Sequence, residues 1–174
     1  MNTAIVNDDL NIGILHIKPE DWEAVSKIYK LGVETGIATF ETEIPSWLKW
    51  DKSHLKKCRF GAWMDNQLVG WAALSMVSDR CVYGGVAEVS VYVDTNYSGK
   101  GIGTKLLQSL IAESENEGFW TLQSGIFLEN EASIQMHKKL GFREIGYREK
   151  IGKKDGVWYD NVILERRSKI IGID

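Results

Sequence analysis

One stretch decides the fold of this chain: residues 86–104, which read VAEVSVYVDTNYSGKGIGT. Its first half, Val86–Val93, is rich in β-branched residues and predicts a strand. Its second half has glycine at positions 99, 101 and 103, and apolar residues follow from Ile102 at helical spacing. The stretch therefore predicts a strand, a glycine-rich turn and an amphipathic helix, in that order.

The glycine-rich turn, Gly99–Thr104, predicts a site for a phosphate or pyrophosphate. Unpaired N–H groups and the positive end of a helix dipole meet at a helix start, and glycines let an anion approach closely. The P-loop motif does not fit, because Lys100 is followed by Gly101 rather than by Ser or Thr. The dinucleotide fingerprint does not fit either, because one residue rather than two separates Gly101 from Gly103. The alternative is a glycine-rich turn that binds no ligand.

The rest of the chain predicts a single domain, residues 1–174, of the α/β or α+β class with three layers. The predicted order is β-α-β-β-β-α-β-α-β-β. The strands are expected at residues 11–17, 59–64, 68–77, 86–93, 121–127, 142–151 and 157–164. Helices are expected after Pro19, from Ile102 to Gly118, and from Asn130 to Leu140. Residues 36–50 show no period and predict a loop or short helix that covers a cleft.

Composition argues against several classes of function. The net charge is -3 and no block of Lys or Arg occurs, so we expect no nucleic-acid partner. No apolar run is long enough to span a bilayer, and the polar N-terminus around Asn2 and Asn7 lacks a signal-peptide pattern. We therefore expect a cytoplasmic protein without membrane contact. Cys58 and Cys81 lack metal-ligand spacing, so we expect free thiols and no metal.

Two segments resemble conserved segments of the GNAT acetyltransferases. Ser98–Gly103 resembles the family's cofactor motif, which is Gln or Arg, two residues, Gly, one residue, and Gly or Ala. The glycine spacing is kept, and Ser98 is a departure at the first position. Asn130–Phe142 resembles the second segment, with His137 where the phosphinothricin acetyltransferase-like subgroup has His. Residues 39–41, 88–93 and 156–160 also resemble that subgroup.

The resemblance implies a central mixed, strongly twisted sheet with helices on both faces, and acetyl-CoA as cofactor. The strands at 86–93 and 121–127 would be parallel and would splay apart around the cofactor. It also implies a homodimer and a small-molecule amine as the second substrate. The cofactor-binding residues that it implies are Val91, Tyr92, Val93, Gly99, Lys100, Gly101, Ile102, Gly103, Thr104, Asn130 and Ser133.

Two titratable residues are candidates for catalysis. An amine must be neutral to attack a thioester, so a group must accept its proton. Glu88 lies in an apolar strand, where burial would raise its pKa, and is the candidate base; the alternative is an exposed Glu paired with Arg80. His137 lies between Ile134 and Leu140 on the inward side of its helix. It is the candidate acid or second proton-transfer residue, and the alternative is a structural core histidine.

The candidate acceptor site begins just before the strand that carries Glu88. Arg80, beside Tyr83, could hold a substrate carboxylate with two hydrogen bonds; the alternative is a surface Arg. Phe40 is expected to line the pocket, and Trp158 to lie in the core outside it. The substrate-binding candidates are Phe40, Arg80, Tyr83, Glu88, Val89 and Ser90.

The resembled subgroup acetylates amino acids and analogues such as phosphinothricin, methionine sulfoximine and methionine sulfone. We therefore expect an N-acetyltransferase that uses direct transfer in a ternary complex. Two alternatives stay open. One is the same fold with another acceptor, such as a protein N-terminus, a polyamine or an aminoglycoside. The other is a non-catalytic domain that senses acyl-CoA.

Overall fold

The described part of the chain, residues 11–174 of the computed structural model, has its strands and main helices in the predicted order, with one short α-helix and three short 3-10 helices in addition. The strands are β1 (Gly13–His16), β2 (Arg59–Met64), β3 (Gln67–Met76), β4 (Val86–Val93), β5 (Thr121–Phe127), β6 (Arg143–Lys154) and β7 (Val157–Arg167). The helices are α1 (Trp22–Glu34), α2 (Trp47–Ser53), α3 (Ile102–Asn116) and α4 (Glu131–Lys139).

All seven strands form one sheet in the order β1-β2-β3-β4-β5-β7-β6. Strands β4 and β5 are parallel, and the other neighbouring strands are antiparallel. This confirms the predicted mixed sheet and α/β (α+β) class. Residues 1–10 of the predicted domain lie outside the described part.

Helices cover both faces of the sheet, which gives the three predicted layers. On one face, called the α1 face, α1 and α2 pack on Trp71 and Ala73 of β3. On the other, called the α3 face, α3 packs on Ala72 and Leu74, and Ile134 of α4 joins the same apolar core. Strand β3 is buried on both faces, so the site lies beside it, where the sheet is less covered.

Two helices near the site begin at Ser or Asn, which are favoured N-cap residues because their side-chain oxygens accept a free backbone N–H of the first turn. Ser46 accepts the Lys49 N–H at the start of α2, and Asn130 accepts the Ser133 N–H at the start of α4. Helix α2 begins within the segment 36–50 that was predicted to be a loop or short helix, and it continues three residues beyond it, to Ser53. Trp158 is a correction: it is 54% exposed rather than part of the core, because it lies at the end of the β6–β7 hairpin.

Within residues 11–174, no helix is both long and apolar enough to cross a membrane.

Candidate active site

The two parallel strands separate after only three paired positions. The last of these joins Glu88 of β4 to Gln123 of β5. From Val89 onward, the described pairings of β4 are with β3 on its other side. Its backbone N–H and C=O groups on the β5 side are therefore free to bind a ligand. We call this separation the β4–β5 gap; it is the splay that the resemblance implies.

Successive side chains of β4 point to opposite faces of the sheet. Val89 belongs to the apolar core on the α3 face. Tyr92 stacks on Trp71 on the α1 face, with ring centroids 4.7 Å apart. Glu88 and Ser90 have the same parity as Tyr92, so their side chains point to the α1 face.

A cavity of about 960 Å³ occupies the gap and is lined from both faces of the sheet. Glu88 and Ser90 line it from the α1 face, and His137 lines it from the helix on the α3 face. The cavity therefore connects the two faces through the sheet. The sequence-predicted site residues that line it are Phe40, Glu88, Val89, Ser90, Val91, Tyr92, Asn130, Ser133 and His137.

Glu88 lies in the cavity but is not buried, which corrects the prediction of burial. Its side chain is exposed, and its partner residue on β3 is Ser75. Glu88 is paired on both sides, with Ser75 of β3 and Gln123 of β5, but its side chain points into the cavity on the α1 face, and β5 diverges from β4 directly after it. The predicted alternative, a pair with Arg80, is absent from the salt bridges of the described residues.

His137 is 2% exposed, and its ring has one fixed proton position. Its Nδ1 lies 2.8 Å from the Ser133 carbonyl oxygen, which can only accept, so Nδ1 carries the proton and donates it. Nε2 is then an unprotonated acceptor, buried without a partner in residues 11–174. Burial lowers the pKa of His137, only partly opposed by the bond to Ser133. A neutral imidazole with a free Nε2 can accept a proton at that atom but cannot donate one there. In this state His137 could act as a proton acceptor but not as the predicted acid.

Tyr92 keeps its proton. Burial is the main reason that its pKa is raised well above that of a free phenol, and the charge on Tyr29 adds to the effect. Tyr92 is therefore a hydrogen-bond donor on the α1 face and not a base.

The glycine-rich turn has the backbone shape that its sequence predicts. Gly99 and Gly101 have φ of 76° and 77°, in the left-handed region that favours glycine, and Gly101 directly precedes α3. A Cβ at Gly103 would lie 2.9 Å from the Met136 sulfur of α4, so this glycine allows the two helices to approach closely. Ile102 is buried, so its side chain packs in the core and only its backbone faces the turn.

Asn130 and Ser133 lie at the start of α4, facing the cavity. The Asn130 side-chain oxygen accepts the Ser133 N–H at 3.3 Å, which leaves the amide NH₂ of Asn130 available to a ligand. The Ser133 hydroxyl lies 3.4 Å from His137 Nδ1. The first turn of α4 therefore orients His137 as well as lining the cavity.

Phe40 covers one end of the cavity on the α1 face. Its ring contacts Phe127, with centroids 4.4 Å apart, and a Cβ at Gly152 would lie 2.5 Å from it. Buried Lys154 donates to the Thr39 carbonyl at 3.0 Å and so fixes the segment that carries Phe40. The predicted position of Phe40 in the pocket is consistent with this geometry.

Arg80 and Tyr83 are brought together by the structure, but outside the cavity. The Arg80 guanidinium lies 5.5 Å from the centre of the Tyr83 ring, and both residues are exposed. Tyr83 lines a separate shallow depression of about 470 Å³. Neither Arg80 nor Tyr83 is among the residues that line the main cavity, so the position of Arg80 does not support the prediction that it holds a substrate carboxylate there.

Sequence reasoning missed a cation that does line the cavity, Arg148 of β6. Its Nε donates to the side-chain oxygen of Asn161 on β7 at 2.9 Å. Both residues come from the closing hairpin and are far from the glycine motif in sequence. No local pattern marks them, because only the pairing of β5, β7 and β6 places them beside the gap.

His54 also lines the cavity, although its sequence context gave no signal. Its Nδ1 lies 2.8 Å from the Trp50 carbonyl, so this ring is also fixed with its proton on Nδ1. Burial lowers its pKa, partly opposed by the bond to Trp50. Arg59, buried behind it, donates to the His54 carbonyl at 3.0 Å and to Asp51 at 2.6 Å, and holds the end of α2 in place.

These features fit coenzyme A. The free edge of β4 from Val89 to Val93 offers backbone groups to an amide-bearing chain, as pantetheine is. The turn Gly99–Thr104 offers N–H groups at the start of α3 for a pyrophosphate. His137 lines the gap, and its buried Nε2 is an acceptor that has no partner within residues 11–174.

Comparisons with known proteins agree with this geometry. Residues 13–142 match the model of the acetyltransferase (GNAT) family. Phosphinothricin N-acetyltransferase of Alcaligenes faecalis is 31% identical over 156 residues, which cover 86% of this chain and 79% of that protein. L-methionine sulfoximine/L-methionine sulfone acetyltransferase of Pseudomonas aeruginosa is 31% identical over 132 residues, 67% of this chain and 77% of that protein.

A solved structure has the same fold. The GNAT superfamily phosphinothricin acetyltransferase of Sinorhizobium meliloti, determined in complex with acetyl-CoA, superimposes with a TM-score of 0.82. Sequence identity is 25%, and the match covers 94% of this chain and 96% of that one.

Proposed function

Because this chain belongs to the acetyltransferase (GNAT) family, we propose that it acetylates the amino group of a small amino acid or analogue of the phosphinothricin, methionine sulfoximine or methionine sulfone type. The chain is an acetyl-CoA-dependent N-acetyltransferase. The acceptor, the site residues and the direct transfer in a ternary complex are the proposed parts.

The observation that carries the proposal is the through-sheet cavity. It is open to the α1 face beside Glu88 and reaches the α3 face beside His137. An acceptor and a cofactor can therefore meet in the β4–β5 gap from opposite faces. Direct transfer needs this arrangement and needs no covalent enzyme intermediate.

Coenzyme A would be held by the free edge of Val91–Val93, the turn Gly99–Thr104 and the start of α4, and it supplies the acetyl thioester. Glu88 holds the ammonium group of the acceptor by charge and accepts its proton, directly or through water. Tyr92 offers a phenol proton on the same face. His137 offers an acceptor, Nε2, on the opposite side of the gap.

A homodimer and a cytoplasmic location are further parts of the proposal. The closing hairpin exposes large apolar side chains that a second copy could cover. These are Ile145, Tyr147, Ile151, Val157 and Trp158, which are 43–55% exposed. Light scattering after size exclusion should give twice the mass of the chain, and Trp158→Ser should shift the mass toward that of a monomer. The cytoplasmic location is proposed because acetyl-CoA, the donor, is available there.

The test is a thiol-release assay with acetyl-CoA and a panel of acceptors. The panel includes amino acids, methionine sulfoximine, methionine sulfone, phosphinothricin, polyamines, an aminoglycoside and a peptide with a free N-terminus. We expect the highest kcat/KM for the amino-acid analogues. A clear preference for a polyamine, an aminoglycoside or a peptide would reassign the acceptor.

Glu88→Gln tests the base in the same assay. A positioned general base is worth roughly 100-fold or more in rate, so kcat at pH 7 should fall by about that factor, with acetyl-CoA binding nearly unchanged. Glu41→Gln is the matched control, because Glu41 is another exposed carboxylate of the cavity. Equal turnover of Glu88→Gln and wild type across pH would remove Glu88 from this role.

A further inference from the structure

We propose that Arg148 binds the carboxylate of the acceptor and makes the enzyme selective for α-amino acids over amines that lack a carboxylate. The inference rests on the proposed function and names the residue that recognises the acceptor. It replaces Arg80, which the fold places outside the cavity.

The pairing of the strands brings Arg148 to the correct face. Arg148 pairs with Asn161, and Asn161 pairs with Phe127. Phe127 contacts Phe40, so this row of residues points to the α1 face, as Glu88 does. Glu88 and Arg148 therefore flank the β4–β5 gap from its two sides on one face of the sheet.

The guanidinium lies over Gly125 of β5. A Cβ at Gly125 would be 3.1 Å from Arg148 Nη2 and 3.2 Å from Asn161 Nδ2, so a larger residue would displace the guanidinium. Gly125 follows Gln123, the partner of Glu88, by two residues. A strand rises about 3.3 Å per residue and neighbouring strands lie about 4.8 Å apart, so the Cα atoms of Gly125 and Glu88 are at least roughly 8 Å apart. Two side chains reaching inward across that span can hold the ammonium and carboxylate of one small amino acid.

No carboxylate of the described part of the chain forms a salt bridge with Arg148. Its Nε is fixed by Asn161, which is 6% exposed, and this bond orients the guanidinium plane. In the hydrogen bonds and salt bridges of residues 11–174, Nη1 and Nη2 have no acceptor and no carboxylate. A guanidinium with both terminal nitrogens free matches the two oxygens of a carboxylate.

The other cations near the site do not offer this geometry. Lys49 lines the far end of the cavity, on α2, and has a single charged nitrogen without a planar fork. Buried Lys154 donates to the Thr39 carbonyl and so serves the segment that carries Phe40. Arg148 is therefore the lining cation whose position, orientation and free donors all suit a carboxylate beside Glu88.

The experiment compares two acceptors that differ only in the carboxylate: methionine sulfone and the amine formed by its decarboxylation. For Arg148→Gln we expect kcat/KM for methionine sulfone to fall by about 10- to 100-fold, mostly through KM, because a hydrogen-bonded charge pair is lost. For the decarboxylated amine, kcat/KM should stay within about twofold, because this amine has no carboxylate for Arg148 to bind. Arg148→Lys should recover part of the loss because it restores the charge without the fork.

Two further variants and one binding measurement show whether any loss is specific to Arg148. Arg143→Gln is the control on the same strand, since Arg143 is exposed and pairs with Glu165; it should leave both acceptors unaffected. Arg80→Gln tests the competing assignment. Calorimetric titration of methionine sulfone into each variant gives a readout independent of turnover, and binding should weaken in Arg148→Gln alone.

The outcomes separate this inference from the proposed function. If wild type prefers methionine sulfone and Arg148→Gln keeps that preference, or Arg80→Gln loses it instead, Arg148 is not the carboxylate residue while the acceptor class stands. Equal losses for both acceptors would mean that Arg148 is structural. If wild type acetylates the decarboxylated amine as well as methionine sulfone, the acceptor class and the inference both fail.

Discussion

The buried, neutral state of His137 should make the stability of the protein depend on pH in a specific way. The ring is 2% exposed, Nδ1 donates to the Ser133 carbonyl, and Nε2 has no described partner. A second proton would place an unpaired charge in the core, which is why burial lowers the pKa of His137 in the folded state. In the unfolded chain the same ring titrates near pH 6.5, as a free imidazole does.

The sign follows from which state binds more protons. Above about pH 6.5 the ring is neutral in both states and contributes no pH dependence. As pH falls below that value, the unfolded chain takes up the proton first, so the free energy of unfolding decreases. The slope from one such group is at most about 1.4 kcal/mol per pH unit, and the loss ends below the folded-state pKa.

Urea unfolding at pH 7.5, 6.5, 5.5 and 5.0, followed by circular dichroism, measures this slope. His137→Asn keeps an N–H that can reach the Ser133 carbonyl and has no group that titrates. Each protein is compared with its own value at pH 7.5, so that lost packing cancels. Below pH 6.5, the free energy of unfolding of wild type should fall by up to about 1.4 kcal/mol per pH unit more than that of His137→Asn. Above pH 6.5, the two proteins should change with pH by the same amount. His16→Asn, at an exposed position, should follow wild type. Parallel curves for wild type and His137→Asn would mean that the ring is not held neutral by the fold.

Three substitutions test residues that shape the glycine-rich turn, the packing beside β4 and the acceptor pocket. Gly101→Ala should lower the free energy of unfolding by about 1–2 kcal/mol, because a residue with a Cβ is strained at a φ of 77°, and should weaken acetyl-CoA binding measured by calorimetry. Gly85→Ala should cost roughly 1–3 kcal/mol in urea unfolding, because its Cβ would lie 2.0 Å from the Trp120 ring. Gly146→Ala is the control for both, since no atom lies within 4 Å of its added Cβ, and an equal effect there would contradict the reasoning. Phe40→Ala should raise KM for the acceptor and leave KM for acetyl-CoA unchanged in steady-state kinetics; the opposite pattern would place Phe40 on the cofactor side.

Local sequence patterns predicted the bounds of a strand or helix well where turn residues, glycines or a capping residue mark its ends. Val86–Val93 and Thr121–Phe127 have the predicted bounds, because β-branched runs end at turns and glycines. The start of α4 is also as predicted, since Asn130 caps it. Helix α2 was harder to predict because its seven residues include three large apolar or aromatic positions without a full period.

The candidate site was predicted less completely, for one physical reason. Arg80 was chosen because it is close to Glu88 in sequence, yet it does not line the cavity. Arg148 is sixty residues further along the chain and reaches the gap only through two antiparallel pairings. When two residues are brought together only by the order of the strands in a sheet, no pattern in the sequence near either residue indicates that they are close.

The incorrect prediction of burial for Glu88 has the same origin as its proposed role. Apolar neighbours along a strand indicate a buried side chain only if another layer packs on its face of the sheet, and here a cavity lies beside Glu88 on that face. Strand β5 diverges from β4 directly after Glu88, which frees the backbone edge that follows it. His137 approaches the same gap from the α3 face. The two candidates therefore lie on different sides of the sheet, so the proposed roles place the acceptor's amine beside Glu88 on the α1 face and the cofactor on the side of His137.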